Sequence, residues 1–195
     1  MADNKEIERK YLVKYFGKEI LEKILSGHYK YIGQSYLVGY GGTALRVRVV
    51  KTFKDHQCTH RSGFITVKGA GSLSKDEFEM EIPYQHAKNL INGSDGNLFL
   101  QKRRIEVEGI GYTIEVDIFM NLSVDNFTIA EIELSSEEEV PSSLPDWIGE
   151  EVTEHKGYSN FSLIQLKEIP ESYKHPNLFN PTVLDMWERD DTYGR

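Results

Sequence analysis

Apolar and polar residues alternate along most of the first two thirds of this chain, a pattern typical of β-strands that bury one face. The alternation predicts strands at residues 5–13, 29–39, 43–53, 61–69, 76–82, 98–108, 111–119 and 127–134. Apolar residues at helical spacing predict two short helices, at 17–25 and 84–91. The acidic run 137–139 predicts the start of another helix, because negative charge complements the dipole of a helix N-terminus.

About eight strands suffice to close a barrel whose interior holds side chains or one small ligand. We therefore predict a mainly β (α+β) fold, an eight-stranded antiparallel β-barrel with a few flanking helices, formed by one domain at residues 1–167. Prolines 170, 176 and 181 interrupt the remaining stretch. Residues 168–195 are predicted to be a C-terminal tail that packs on the domain or extends from it.

Charged residues on the polar strand faces come largely as pairs of like sign. The pairs are Glu6 and Glu8 (followed by Lys10), Arg46 and Arg48, Glu77 and Glu79, Lys102 and Arg104, Glu115 and Asp117, and Glu131 and Glu133. A solvated sheet face also alternates, but it normally mixes signs because like charges repel. Repeated pairs of both signs favour a site for a polyanion bridged by metal.

The segment Glu6-Ile7-Glu8-Arg9-Lys10 resembles the Glu-x-Glu-x-Lys opening of the CYTH domain, the triphosphate tunnel metalloenzyme family. The charge pairs follow in the order of that family, with Lys68 after the arginines and Lys156 near the end of the match, so the resemblance runs from residue 5 to about 166. Within the family the sequence is most similar to the small bacterial inorganic triphosphatases. The resemblance implies a tunnel that binds a triphosphate along its axis.

The resemblance also implies roles for individual residues. Phosphate contacts would come from Lys10, Arg46, Arg48, Lys68, Lys102, Arg104 and Lys156. Mg²⁺ or Mn²⁺ would be held by Glu6, Glu8, Glu115, Asp117, Glu131 and Glu133, since these hard ions prefer oxygen ligands. Glu77 and Glu79 would support the basic residues. Lys10 and Tyr36 would act on the attacking water, although Tyr36 also fits a half-buried strand aromatic.

Three functions remain open on these residues. The first is metal-dependent hydrolysis of a triphosphate, with inorganic tripolyphosphate as the expected substrate. The second is a class IV adenylate cyclase, or a nucleotide or thiamine triphosphatase, on the same fold. The third is a non-catalytic polyphosphate-binding module, which the many carboxylates disfavour because a pure anion binder has little use for them.

Composition narrows the partners further. The net charge of -8 argues against general binding to nucleic acid, although a small phosphate ligand depends on local charge. The single Cys58 excludes a disulfide framework and, with no long apolar run, suggests a cytoplasmic protein that does not bind membranes. The sequence leaves open whether the protein forms a homodimer.

Two other features do not indicate a site. His56, Cys58 and His60 lack a fourth spaced ligand for zinc, and Trp147 is expected to pack against the barrel wall.

Overall fold

A computed structural model describes residues 5–40, 43–70, 73–94, 96–109, 111–122 and 127–165. The strands are β1 (Lys5–Val13), β2 (Tyr29–Tyr40), β3 (Thr43–Lys54), β4 (Gln57–Lys68), β5 (Ser74–Ile82), β6 (Phe99–Glu108), β7 (Thr113–Phe119), β8 (Thr128–Glu133) and β9 (Ile148–Glu151). The helices are α1 (Lys18–Leu25), α2 (Tyr84–Asn92) and α3 (Asn160–Gln165), with single 3₁₀ turns at Gly96–Leu98 and Lys156–Tyr158. The tail predicted at residues 168–195 lies outside the described residues.

The strands form one antiparallel sheet in the order β5-β4-β3-β2-β6-β7-β8-β1-β9. The sheet closes because residues 5–7 of β1 also pair with residues 74–76 of β5. Further along the same edge of β1, the short strand β9 takes over from β5. The prediction of an eight-stranded antiparallel barrel is therefore confirmed, and β9 is an addition that the alternation did not indicate.

The apolar faces of the strands point outward and are covered by helices. Ile20 and Ile24 of α1 are fully buried in a cluster with outward residues of β1, β6, β7 and β8. On the other side of the barrel, Ala87 and Ile91 of α2 pack on the outward face of β3. Both predicted short helices are confirmed, and their positions leave the charged strand faces turned inward. None of the described helices is long and apolar enough to cross a membrane.

The prediction that a helix begins at the acidic run 137–139 is wrong. Residues 137 and 138 form a turn, and no helix begins there. The carboxylate of Glu139 accepts hydrogen bonds from the backbone N–H and the hydroxyl of Ser135, at 2.8 and 2.6 Å. These local bonds favour a turn over a helix, and Pro141 follows two residues after Glu139.

One end of the barrel is filled with apolar side chains. Leu12, Leu100, Phe119 and Ile129 come from the ends of four strands and are almost completely buried. Tyr158 and Leu163 complete this cluster from the 3₁₀ turn at Lys156–Tyr158 and from α3. The segment that follows β9 therefore caps this end of the barrel.

Trp147 packs as the sequence predicts. Its side chain is buried in the cluster beneath α1, and the indole Nε1 donates a hydrogen bond to Glu19 at 2.6 Å. This tryptophan ties β9 to α1 on the outside of the barrel.

Candidate active site

The register of the strands brings the predicted charged residues onto the inner wall. Directly paired residues share a face of a sheet. The inner pairs include Lys10 with Glu131, Glu131 with Glu115, Arg104 with Asp117, and Lys68 with Glu77. Their ion pairs form two networks on the inner wall, one centred on Arg104 and Lys10 and the other on Lys68 and Arg46, and together these are here called the ion-pair belt. It contains Lys10, Arg46, Arg48, Lys68, Lys75, Lys102 and Arg104 together with Glu6, Glu8, Glu77, Glu79, Glu115, Asp117 and Glu131.

Arg104 organises the part of the belt on β6, β7 and β8. Its guanidinium donates to Asp117 at 2.6 and 2.7 Å, to Glu131 at 2.7 Å and to Glu115. Asp117 also accepts a hydrogen bond from Lys102 and is only 1% exposed. Burial lowers the pKa of Lys102, and the neighbouring Arg104 lowers it further. This corner therefore holds two cations close together, each already in contact with Asp117.

Lys10 lies between two carboxylates from different strands. It donates to Glu131 and lies 3.1 Å from Glu8. Burial alone would lower the pKa of Lys10, but the charges of Glu131 and Glu8 outweigh it and raise the pKa. Burial would likewise raise the pKa of Glu8, but the ammonium groups around it hold that pKa at about 2. Lys10 is therefore a permanent cation and Glu8 a permanent anion near neutral pH.

Lys68 joins Glu6 of β1 to Glu77 of β5. Its ammonium lies 2.5 Å from Glu6 and 2.8 Å from Glu77. Burial raises the pKa of Glu6 to about 7, and the charge of Glu8 adds to the rise. The negative charge on this stretch of wall is therefore incompletely compensated, although Lys68 is in contact.

Arg46 and Arg48 differ in how well they are neutralised. The Nη2 of Arg48 lies 2.8 Å from both oxygens of Glu79. The guanidinium of Arg46 is buried, lies 3.9 Å from the same carboxylate, and donates to the hydroxyl of Thr66 at 3.4 Å. Neither Nε atom has a hydrogen-bond partner among the described residues. A buried guanidinium with unused donors is suited to a phosphate group, which accepts such hydrogen bonds in a forked geometry.

β2 contributes neutral side chains at this level of the barrel. Tyr36 pairs with Arg46 across the sheet, and Gln34 pairs with Arg48. The ring of Tyr36 is buried and packs edge-on against Phe161 of α3, with 5.0 Å between ring centroids. Burial raises the pKa of the Tyr36 hydroxyl, so this group is a donor rather than an anion at neutral pH.

Two of the predicted site residues lie away from the belt. Glu133 pairs with Glu8 in the sheet, but it is the last residue of β8 and is exposed. Lys156 is exposed at the start of its 3₁₀ turn, close to the capped end. Sequence reasoning in turn missed Lys75, Thr66 and Gln34. Alternation places Thr66 on the inward face with Lys68, whereas Lys75 lies just before the predicted strand 76–82, and neither residue belongs to a pair of like charges.

A basic pocket of about 140 Å³ leads to the belt from the end of the barrel opposite the apolar cap. Its walls include Lys23 of α1, Lys30 of β2, Lys54 of β3 and Arg104 of the belt. Lys30 also binds Glu106 on β6. Positive charge at this opening would draw a small anion toward Arg104.

The inner carboxylates have the chemistry of ligands for a hard divalent ion. Burial raises the pKa of Glu115, as it does that of Glu6, so a metal ion would relieve uncompensated negative charge. Within the described part of the chain, however, no group of three or more His, Cys, Asp or Glu side chains is arranged to hold a metal. The belt explains this, because its carboxylate oxygens already bind ammonium and guanidinium groups. The same finding gives no support to zinc binding by His56, Cys58 and His60.

Comparison with known proteins identifies a family and relatives for this chain. The sequence profile of the CYTH domain matches residues 4–165. An inorganic triphosphatase of Acetivibrio thermocellus is 36% identical over 158 residues, which are 76% of this chain and 94% of the relative. An inorganic triphosphatase of Nitrosomonas europaea is 31% identical over 160 residues, 81% of this chain and 95% of the relative. The crystal structure of an inorganic triphosphatase superposes with a TM-score of 0.56 at 26% identity, covering 84% of this chain and 97% of that chain.

Proposed function

Because this chain belongs to the CYTH domain family, we propose that it is an inorganic triphosphatase that hydrolyses tripolyphosphate inside the barrel with Mg²⁺ or Mn²⁺. The observation that carries the proposal is the pair of arginines on β3, where Arg46 is buried and its nearest carboxylate oxygens, on Glu79 and Glu77, lie at 3.9 and 4.0 Å, beyond hydrogen-bond distance. The names of both curated relatives support it.

Binding of the substrate would use the cations of the belt. Arg46 and Arg48 on one wall face Lys102 and Arg104 on another, with Lys10 and Lys68 contributed by β1 and β4. Arg48 is close enough to Arg104 for that charge to lower its pKa, after the larger effects of burial and of Arg46. The two walls therefore share one electrostatic environment, in which a linear triphosphate would contact both. Lys156 would add a contact from outside the belt.

The metal would be held by Glu6, Glu8, Glu115, Asp117, Glu131 and Glu133. Mg²⁺ or Mn²⁺ held by these carboxylates would supply Lewis-acid chemistry, neutralising phosphate charge and acidifying a water molecule. Within the belt, these carboxylates already contact lysine or arginine side chains, which would have to give way to a metal. Glu133 is the exposed member of the set and is the most accessible to solvent.

The cations of the belt would stabilise the charge that develops on the transferred phosphoryl group. Lys10 stays protonated because its pKa is raised by Glu131 and Glu8, and Tyr36 stays protonated because it is buried. Both would therefore act as hydrogen-bond donors that orient the phosphate and the attacking water. Neither would remove a proton from that water.

A phosphate-release panel tests the function. Tripolyphosphate, ATP and thiamine triphosphate are compared with Mg²⁺ and with Mn²⁺, using wild type, Arg46→Met and Lys18→Met. Lys18 lies on the exposed surface of α1, so its variant removes the same charge far from the belt. We expect the highest kcat/KM with tripolyphosphate, a large loss in Arg46→Met and no change in Lys18→Met. Preference for ATP with cyclic AMP as product would identify a cyclase, and binding without turnover would identify a polyphosphate-binding module.

A further inference from the structure

Lys75 is a belt cation that belongs to none of the paired charges in the sequence. It lies at the start of β5, where this strand closes the barrel against β1, directly opposite Glu6. Its side chain is 14% exposed, and its Nζ donates to Oε1 of Glu8 at 2.8 Å. Lys75 therefore reaches the inner wall from the strand that closes the barrel.

Glu8 is held by two ammonium groups at the same oxygen. Lys10 lies 3.1 Å from Oε1, the atom to which Lys75 donates. Lys10 has a second carboxylate partner in Glu131, so its position does not depend on Glu8 alone. Lys75 approaches from β5, which pairs with the edge of β1 opposite to β8. Its flexible four-carbon stem can turn away without moving the backbone.

We propose that Lys75 is the resident counter-cation of Glu8 and that a divalent metal ion displaces it on binding. The inference rests on the proposed function, in which Glu8 is a metal ligand. An ammonium group and a divalent ion at one carboxylate repel each other, so Lys75 has to leave when the metal arrives. This exchange keeps the buried charge of Glu8 compensated both with and without metal.

The exchange predicts that removing Lys75 strengthens metal binding. A divalent ion about 5 Å from an ammonium group, with the screening of water, is repelled enough to weaken binding by roughly tenfold. Isothermal titration calorimetry with MnCl₂, in the absence of any phosphate, measures this affinity for wild type, Lys75→Met, Lys75→Arg and Lys18→Met. We expect about tenfold tighter Mn²⁺ binding in Lys75→Met, and wild-type affinity in Lys75→Arg and Lys18→Met.

The control variants separate the explanations. Lys75→Arg keeps the charge, and Lys18→Met gives the same change in net charge from the exposed surface of α1. Circular dichroism checks folding, and Lys75→Gln replaces Lys75→Met if the latter does not fold. Unchanged or weaker Mn²⁺ binding in the neutral variants, with normal binding in wild type, would overturn the role of Lys75 and leave the proposed function standing. No Mn²⁺ binding in wild type would overturn the metal assignment as well.

Discussion

Arg46 lies directly opposite Tyr36 in the antiparallel pair of β2 and β3, with its guanidinium buried and 3.9 Å from the nearest oxygen of Glu79. Arg48, two residues further along the same face, contacts that carboxylate at 2.8 Å. The two arginines therefore share a strand face but differ in how completely the protein neutralises them. Substituting each arginine in turn therefore distinguishes its effect on the free energy of unfolding from its effect on phosphate binding.

We expect Arg46→Met to leave the unfolding free energy nearly unchanged or slightly higher, because it removes a buried charge whose nearest carboxylate oxygens, on Glu79 and Glu77, lie at 3.9 and 4.0 Å, beyond hydrogen-bond distance. Arg48→Met should cost about 1–2 kcal/mol, since Glu79 loses its contact. Both variants lose a charge-assisted phosphate contact of roughly 1.5–3 kcal/mol, so tripolyphosphate should bind about ten to a hundred times more weakly. Urea unfolding and the ligand-induced rise in Tm measure the two effects. An unchanged rise in both variants would show that these arginines do not bind phosphate.

Glu6 should make the empty protein less stable as the pH rises. In the folded protein its pKa is about 7, raised by burial and then by Glu8, whereas in the unfolded chain it is near 4.5. Between these values the folded state binds more protons, so the unfolding free energy falls as pH rises from about 4.5 to 7. Glu6→Gln should remove up to roughly 2–3 kcal/mol of this decrease. Urea unfolding at pH 5 and pH 7.5 in chelator checks it, and equal pH dependence in both proteins would contradict the assignment.

The metal ligands should separate into buried and exposed members. EDTA should abolish activity, and Mg²⁺ or Mn²⁺ should restore it. Glu133→Gln should fold like wild type and need about tenfold more metal for half-maximal rate, because it loses one exposed charged ligand. Glu131→Gln should also lose stability, since Lys10 and Arg104 both bind this carboxylate. Phosphate release and thermal unfolding measure these effects, and full turnover in EDTA would refute metal dependence.

Tyr36→Phe should lower kcat and leave the fold intact. The substitution keeps the ring that packs on Phe161 and removes only the hydroxyl near Arg46. Losing one donor that acts in the transition state lowers kcat by roughly ten- to a thousandfold. Steady-state kinetics with tripolyphosphate measures kcat, and Tyr15→Phe, at an exposed tyrosine outside the strands, is the control. A wild-type kcat in Tyr36→Phe would leave Tyr36 as a packing residue.

The barrel was predictable because alternation extends over nearly every strand, and a shift by one residue would turn each charged face outward. β9 is too short for this signal, since it spans only Ile148 to Glu151, directly after the tryptophan that binds Glu19 of α1. The acidic run misled because Glu139 binds its own turn through Ser135, a local competition that charge alone does not reveal.

The prediction of the site from sequence was limited in a similar way. Pairs of like charge select the inner faces, but they do not show which charges neutralise each other. That Arg48 contacts Glu79 and Lys75 contacts Glu8 depends on strand register and on barrel closure. Lys75 carried no signal beyond its position two residues before Glu77. Sequence therefore indicated the composition of the wall, and the closed barrel determines its connectivity.

The belt of alternating cations and carboxylates also bears on how the protein would respond to salt. A phosphate site lined only by lysine and arginine attracts dissolved anions, and its ligand must displace them, so affinity falls steeply with ionic strength. In this barrel the counterions are side chains such as Glu79, Asp117 and Glu131, fixed to the wall. Tripolyphosphate would exchange with these internal partners rather than with ions from solution. The counterions of this site are therefore part of the protein, and its affinity for a highly charged ligand should depend only weakly on the salt concentration of the solution.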